Sequence, residues 1–168
     1  VGRFAAGTGK RVLLLASGGM SHHPRRYYPE PTEATPDVAA WQRSGGEAPD
    51  SLQPAEWLEK LETMHHEGAA MIVRGDRTAA DMRLNEAADR RFLDVLLGGR
   101  LQVFDDWDTD AVVDEAGIGS MELHTWIAAA SAHQAAGGGA VTLDFYAVTP
   151  ELGIAAGIVH ARNEATPG

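Results

Sequence analysis

A short, continuously apolar run opens the hydrophobic pattern of the chain. Val12 to Ala16 lies between Lys10-Arg11 and Ser17-Gly18-Gly19, with no polar residue inside the run. An apolar run of this length, bounded by charged residues and glycines, is typical of a strand that is buried on both faces of a sheet. The pattern therefore predicts a central strand over residues 12–16.

Two further strands are predicted near the C-terminus. Apolar side chains recur there at every second position, at Val141, Leu143, Phe145 and Ala147. A period of two indicates a strand with one buried face. The small apolar stretch from Gly153 to Val159 predicts a final strand.

Between these strands, apolar residues recur at helical spacing. The predicted helices are Pro54 to Gly68, Thr78 to Leu97, Asp108 to Glu115 and Ser120 to Ala136. Proline suits the first turn of a helix, and glycines follow the predicted ends of the second and fourth helices. The first helix would carry His65 and His66 in its last turn, where the helix dipole favours them.

Residues 24–53 break this periodicity. The segment is rich in proline and contains the Gly45-Gly46 pair, so we expect an excursion or lid with one short turn near Trp41. The order of strand, helices and strands predicts an α/β fold, a layered sheet with flanking helices. Residues 1–168 are expected to form a single domain.

Composition narrows the function classes. The 168 residues carry 14 basic and 24 acidic side chains, a net charge of −10, which is the wrong sign for binding a phosphate backbone. No window approaches the about 20 apolar residues that a membrane span needs. Because the chain has no cysteine but seven histidines, a metal would be held by His, Asp or Glu. We expect a cytoplasmic protein with no nucleic-acid or membrane partner, since no secretion signal is recognisable.

The loop after the first predicted strand is a candidate catalytic element. Ser17-Gly18-Gly19-Met20-Ser21-His22-His23 leaves the carboxyl end of that strand, where open α/β sheets place ligands. Glycines allow close approach of the backbone, and a histidine at the tip could carry protons near neutral pH. The alternative is a simple turn followed by two exposed histidines.

Glu122 poses a second question. At 100° per residue it falls on the same side of the predicted helix as Ile118, Trp126 and Ala129. A carboxylate within an apolar stripe is costly unless it is paired. The pattern therefore predicts a partner for Glu122, and a metal, an arginine and a set of hydrogen-bond donors all satisfy it.

These motifs carry a family resemblance. The loop from Ser17 to His22, the segment 84–94 with Asn85 and Asp89, and the segment 116–126 around Glu122 resemble the second half of the class III extradiol ring-cleaving dioxygenases. This is the protocatechuate 4,5-dioxygenase superfamily, and the resemblance is in particular to its 2,3-dihydroxyphenylpropionate 1,2-dioxygenase branch. It covers residues 1–24 and 84–162, with Ala88 standing where the family has Trp.

The resemblance implies a non-haem Fe(II) enzyme. In that family two histidines and one glutamate hold the metal and leave positions open for a catecholate and dioxygen. By motif, the glutamate is Glu122, the acid/base histidine is His22, and His23 is a neighbour of the site. Both iron-binding histidines of the family lie in an N-terminal half, so they are expected from a segment supplied as another chain or removed by cleavage.

The implied reaction is extradiol cleavage of a catechol-type ring by O2 in a homo- or hetero-oligomer. Arg25, Arg26 and Tyr27 could hold a carboxylated side chain of the substrate, together with His23 and Asn85, although exposed surface arginines are the alternative. Two other functions remain open. One is a non-catalytic binding or scaffold protein of the same fold, and the other is a hydrolase or lyase that uses a metal in the same pocket.

Overall fold

The computed structural model describes residues 1–44 and 54–161. Seven α-helices are present in this part of the chain: α1 (Gly2–Gly7), α2 (Pro24–Tyr27), α3 (Pro36–Ser44), α4 (Pro54–Arg74), α5 (Glu86–Leu97), α6 (Thr109–Ala116) and α7 (Leu123–Ala135). Short 3-10 helices span Leu101–Asp106, Ile118–Glu122 and Pro150–Leu152, and the strands are β1 (Thr142–Thr149) and β2 (Ile154–His160). The mixed α/β class is confirmed. None of the described helices is long and apolar enough to cross a membrane.

Helix α5 lies at the centre of the core. Asn85 caps its N-terminus, since the side-chain oxygen accepts a hydrogen bond from the Ala88 N–H at 3.1 Å. Phe92 is 1% exposed and its ring contacts the rings of Phe104, Trp107 and Trp126. The wider core cluster consists of Met20, Phe92, Leu93, Leu96, Leu101, Leu123, Trp126, Ala130 and Ala155.

The helical predictions differ from the structure mainly at their N-terminal and C-terminal limits. The helix expected from Thr78 begins only at Glu86. The N–H and hydroxyl of Thr78 donate to the Asp81 carboxylate in a preceding turn, and Asn85 then caps the helix. Met82 is fully buried all the same. The predicted helix over 108–115 is confirmed as α6, capped by Asp108 through the Ala111 N–H.

Helix α4 runs six residues beyond its predicted end at Gly68, to Arg74. Gly68 lies within the helix and serves a close contact instead, since a Cβ there would stand 3.0 Å from the Tyr27 ring. His65 and His66 therefore lie inside the helix and not in its last turn, so the prediction of a C-terminal position was wrong.

The proline-rich segment is more ordered than predicted wherever the structure describes it. Pro36–Ser44 forms helix α3 in place of a single short turn, and Val38 and Ala39 on it are buried. Proline at the first position fixes a backbone angle that suits a helix start, so the residue that signals a loop also begins this helix. Residues 45–53 of the predicted lid lie outside the described residues.

Strands β1 and β2 pair antiparallel, which confirms both C-terminal strand predictions. A bulge between Leu143 and Phe145 shifts the register, so Asp144 stands out of the pairing. Leu143 faces the core before the bulge, and Tyr146 and Val148 face it afterwards, while Phe145 is 48% exposed. One extra residue thus reverses the alternation that the sequence predicted.

The strand predicted over residues 12–16 is absent, and its predicted burial was wrong. The four large apolar residues of this segment are 39–86% exposed: Val12, Leu13, Leu14 and Leu15. A strand needs a neighbour for its backbone hydrogen bonds, and β1 and β2 pair only with each other among the described strands. The segment therefore has the composition of a buried strand and no described strand beside it.

Candidate active site

The backbone around His22 is anchored on both sides. The Met20 N–H donates to the Ala155 carbonyl and the Ala155 N–H donates to the Ser21 carbonyl, each at 3.0 Å. The His22 N–H donates in turn to the Ala116 carbonyl at 2.9 Å. The loop is thereby fixed between the first residues of β2 and the end of α6. These hydrogen bonds set the position of the His22 backbone, from which the imidazole extends.

Glycines make room for this histidine. A Cβ at Gly119 would stand 2.1 Å from His22 Nε2, and one at Gly19 would stand 2.7 Å from Cε1. Gly117 has φ +81° and would place a Cβ 2.2 Å from the His22 carbonyl oxygen. Only glycine fits such backbone contacts at that angle, so the glycines before and after Ile118 serve the close approach of two loops.

The His22 imidazole is held in one orientation. The residue is 6% exposed, and Nδ1 lies 2.8 Å from the Met20 carbonyl oxygen. Because a carbonyl only accepts, this bond places the proton on Nδ1 of the neutral ring and leaves Nε2 with a free lone pair. Nε2 lies 3.8 Å from Oε1 of Glu122. The accepting nitrogen thus faces a carboxylate.

Glu122 does not lie on a buried stripe, so that prediction was wrong. Residues Ile118–Glu122 form a 3-10 helix that leads into α7, and its three residues per turn change the angular phase of the side chains. The buried face of α7 consists of Leu123, Trp126 and Ala130, whereas the Glu122 side chain is 49% exposed.

A backbone amide provides the partner that the sequence argument demanded for Glu122. The Gly19 N–H donates to Oε2 at 2.5 Å, and a Cβ at Gly18 would clash with the Glu122 Cβ at 2.7 Å. The position just before α7 also favours a negative charge. Of the predicted alternatives, the structure shows a hydrogen-bond donor; no arginine among the described residues forms an ion pair with Glu122.

The Glu122 carboxylate could provide one ligand of a metal site, and the remaining ligands would have to come from other residues. Oε1 carries no hydrogen bond from a described donor and points toward the His22 side. Among residues 1–44 and 54–161, no group of three or more His, Asp or Glu side chains could hold a metal ion. A two-histidine, one-carboxylate site would therefore need ligands from elsewhere.

Three predicted substrate-binding residues lie next to the His22 loop. His23 immediately precedes α2, and Arg25 and Arg26 are exposed on that helix. Burial lowers the pKa of His23, and Arg26 lowers it further. Nδ1 of His23 is buried with no hydrogen-bond partner among the described residues, so the His23 ring retains one unused polar atom.

Tyr27 and Asn85 already have structural partners. The Tyr27 side chain is 2% exposed, and its hydroxyl lies 2.9 Å from the Glu151 carbonyl and 3.1 Å from that of His65. Asn85 caps α5, and its backbone N–H donates to Ser21 Oγ at 2.9 Å. Both residues therefore have structural roles next to the His22 loop.

Two residues that contact the His22 loop or its support were not among the predicted site residues. Asp89 accepts hydrogen bonds from Ser21 and from the Tyr146 hydroxyl, deep below the His22 loop. The i, i+4 spacing of Asn85 and Asp89 was a usable signal, because it turns both side chains toward one neighbour. Tyr146 gave none, since the bulge at Asp144 reversed its predicted face.

Comparisons with known proteins agree with the sequence resemblance. The family model described as the catalytic LigB subunit of aromatic ring-opening dioxygenase matches residues 3–154. The chain is 41% identical over 146 residues to the 2,3-dihydroxyphenylpropionate/2,3-dihydroxicinnamic acid 1,2-dioxygenase of Rhodococcus rhodochrous, covering 87% of this chain and 43% of the relative. The same-named protein of Paraburkholderia xenovorans is 36% identical over 162 residues, covering 96% and 48%. The chain therefore spans less than half the length of these relatives.

Proposed function

Because this chain belongs to the LigB family of aromatic ring-opening dioxygenases, we propose that it supplies one carboxylate ligand and the acid/base group of an Fe(II)-dependent extradiol dioxygenase. The substrate would be a catechol-type ring, cleaved beside its two hydroxyl groups with both atoms of O2 entering the product. The bound iron would supply the binding of catecholate and dioxygen side by side. Glu122 would be its ligand from this chain.

The proton chemistry falls to His22. A catechol must lose protons to bind a cation as catecholate, and they need an acceptor within hydrogen-bond reach. Nε2 of His22 is free to accept, because the Met20 carbonyl holds the ring proton on Nδ1. The same nitrogen can return the proton as the ring opens. His22 would thus act twice without leaving its place.

The pairing of His22 Nε2 with Glu122 Oε1 at 3.8 Å carries this proposal. At this distance His22 would accept a proton directly beside the carboxylate that would bind the metal. Gly19 donates to Oε2, so one carboxylate oxygen is held while the other stays available. This division suits a ligand better than a mere ion pair at the surface, which contributes little to stability.

The substrate's side chain would meet the α2 side of the loop. Relatives are named for 2,3-dihydroxyphenylpropionate and 2,3-dihydroxicinnamic acid, whose rings carry a carboxylated chain. Arg25 and Arg26 are exposed on α2 directly after His23, and a guanidinium group binds carboxylate through two parallel hydrogen bonds. We propose His23, Arg25 and Arg26 as the contacts, with Tyr27 and Asn85 shaping the wall behind them.

The remaining two histidine ligands would come from a complementary polypeptide, as a preceding segment or a second chain. The apolar segment 12–16 is the proposed contact, because a strand with two apolar faces needs a sheet around it. Among the described residues, the backbone N–H groups of residues 11–16 find no backbone acceptor. Strand addition would satisfy these groups and bury Leu13 and Leu15, now 78% and 86% exposed.

Association can be tested at this segment. Leu13→Ser with Leu15→Ser should abolish co-purification with the complementary polypeptide, because strand addition would bury both side chains. Leu152→Ser is the matched control, as Leu152 is 59% exposed outside the segment. Co-purification of the double variant at the wild-type level would contradict the proposed contact.

The activity test uses the assembled protein, loaded anaerobically with Fe(II) and mixed with 2,3-dihydroxyphenylpropionate. The proposal expects one iron per site, uptake of one O2 per ring and a ring-opened product. Iron binding without O2 uptake across a panel of catechols would favour the scaffold alternative. Product formation without O2 uptake would favour a hydrolase or lyase.

A further inference from the structure

Asp89 is a buried carboxylate for which the proposed chemistry has no direct use. It lies in the first turn of α5 and is 1% exposed. Its oxygens accept from the Ser21 N–H at 2.8 Å, the Ser21 hydroxyl at 2.7 Å and the Tyr146 hydroxyl at 2.9 Å. No ion pair to Asp89 is present among the described residues.

A buried carboxylate of this kind is an unfavourable choice if its only role is to stabilise the fold. A buried charge without a cation contributes less to stability than an apolar side chain of the same volume would. Its burial raises the pKa of Asp89, although the three hydrogen bonds and the nearby His22 imidazole oppose that rise. The Arg90 guanidinium lies over the Tyr146 ring, 5.1 Å from its centre, and forms no ion pair with Asp89. The local arrangement thus tolerates the charge but does not require it.

Both oxygens converge on a single residue, Ser21. Ser21 is fully buried, its hydroxyl also accepts from the Asn85 N–H at 2.9 Å, and its carbonyl accepts from the Ala155 N–H at 3.0 Å. Every polar group of Ser21 is therefore bound, from the α5 side and from the β2 side. A residue held at its N–H, hydroxyl and carbonyl has little freedom in its backbone angles.

Ser21 directly precedes His22, and its backbone angles set the direction of the His22 side chain. On the far side of Ser21, the Met20 carbonyl accepts a hydrogen bond from the His22 Nδ1–H. Rotation at Ser21 would pull this carbonyl away from Nδ1 and would turn Nε2 away from Glu122. The two hydrogen bonds to Asp89 oppose that rotation.

We infer that Asp89 is a positioning residue, which acts through its two hydrogen bonds to Ser21 to hold the His22 imidazole in one tautomer facing Glu122. Tyr146 is the third donor and keeps the carboxylate turned toward Ser21. The inference rests on the proposed acid/base role of His22. It adds a residue that touches neither metal nor substrate and still governs the reaction geometry.

Asp89→Asn is the sharpest variant, because it keeps the volume and changes one acceptor oxygen into an NH2 donor. The three groups around Asp89 are all donors, so at least one of them loses its acceptor. Ser21→Ala removes the hydroxyl that donates a hydrogen bond to Asp89. Asp94→Asn is the control, as Asp94 is exposed on the same helix.

The experiment measures kcat, KM for the catechol and iron content of the iron-loaded assembly. Asp89→Asn and Ser21→Ala should each lower kcat by about 10- to 100-fold, the scale of a misplaced catalytic group, with iron content and KM unchanged. The double variant should lose about as much kcat as the more severe single variant and no more, because both changes break one unit. Asp94→Asn should behave as wild type. An unchanged kcat in Asp89→Asn, or losses that multiply in the double variant, would overturn the inference.

A second readout does not need turnover. In a zinc-loaded assembly with ¹⁵N-labelled histidine, the wild-type His22 signals should show the Nδ1–H tautomer, and Asp89→Asn should show a mixture of tautomers. If Asp89→Asn shows only the Nδ1–H tautomer, the inference that Asp89 positions the His22 ring is overturned. If Asp89→Asn fails to fold, Ser21→Ala and Tyr146→Phe provide the same two readouts. A wild-type rate in His22→Gln would instead overturn the acid/base role of His22, whereas the tautomer signal tests only the positioning by Asp89.

Discussion

One carboxylate oxygen of Glu122 lies 3.8 Å from Nε2 of His22, while its other oxygen accepts a hydrogen bond from the Gly19 N–H. Gly19 and His22 belong to the same loop, so this loop holds the glutamate at one end and presents the imidazole at the other. In the proposed function the two groups would have separate roles. Glu122 would bind a cation through Oε1, while Nε2 of His22 would accept protons.

The first prediction concerns metal retention. Glu122→Ala in the complete assembly should abolish iron binding, because a site of three protein ligands cannot lose one and hold a labile divalent ion. The fold should survive, since the side chain is half exposed. Metal analysis and circular dichroism of the same preparation measure both.

Glu115→Ala is the control for that variant. Glu115 is an exposed carboxylate paired with Arg91, and removing it should leave the iron content unchanged. Normal iron content in Glu122→Ala would exclude Glu122 as a ligand.

The second prediction concerns the glycine beneath His22. Gly119→Ala would place a Cβ about where the imidazole now lies, 2.1 Å from its nearest atoms, and should displace the ring. The expected cost is about 1–3 kcal/mol of stability from overpacking and about 10²-fold in the ring-cleavage rate. Thermal unfolding and oxygen uptake measure the two effects. Gly139→Ala meets nothing within 4 Å and should leave both unchanged; equal behaviour of the two variants would contradict the assignment.

The third prediction concerns pH. Burial lowers the pKa of His65, with His66 as a second cause, and the neutral ring accepts a hydrogen bond from the Tyr28 hydroxyl at 2.9 Å. The unfolded state, with a histidine pKa of about 6.5, then binds more protons than the folded state, so stability falls as pH drops below that value.

Urea unfolding at pH 7 and pH 5 checks this sign. His65→Gln should flatten the decline in the free energy of unfolding, and Tyr28→Phe should lower stability at pH 7 by about 1 kcal/mol. His66→Gln, at an exposed neighbour, should keep most of the decline. A steeper decline in His65→Gln than in wild type would refute the account.

Elements with local signals were predictable from the sequence. Asp108 caps α6 and Gly117 follows it with a positive φ, as expected from residues whose preferences do not depend on distant contacts. The bulge at Asp144 and the 3-10 turn before Glu122 carry no such signal. Each shifts the phase of the side chains that follow, so Phe145 and Glu122 were assigned to the wrong faces.

The site depended on a different kind of information. Periodicity could not bring His22 to Glu122, because their proximity arises from the contact of the 17–23 loop with the turn at Gly117 and Gly119. The family resemblance proposed both residues, and the structure brings them together. Segment 12–16 shows what composition alone cannot predict. Its composition specifies a buried strand, but burial needs a neighbouring strand that is absent from the described residues.

The most direct test of the account is His22→Gln in the complete, iron-loaded assembly, with iron stoichiometry and oxygen uptake measured on one preparation. If His22 moves protons and binds no metal, the iron content should stay at the wild-type level while ring cleavage slows by about 10²- to 10⁴-fold. A joint loss of iron and activity would make His22 a ligand. Retained iron with an unchanged rate would remove His22 from the mechanism and contradict the central claim.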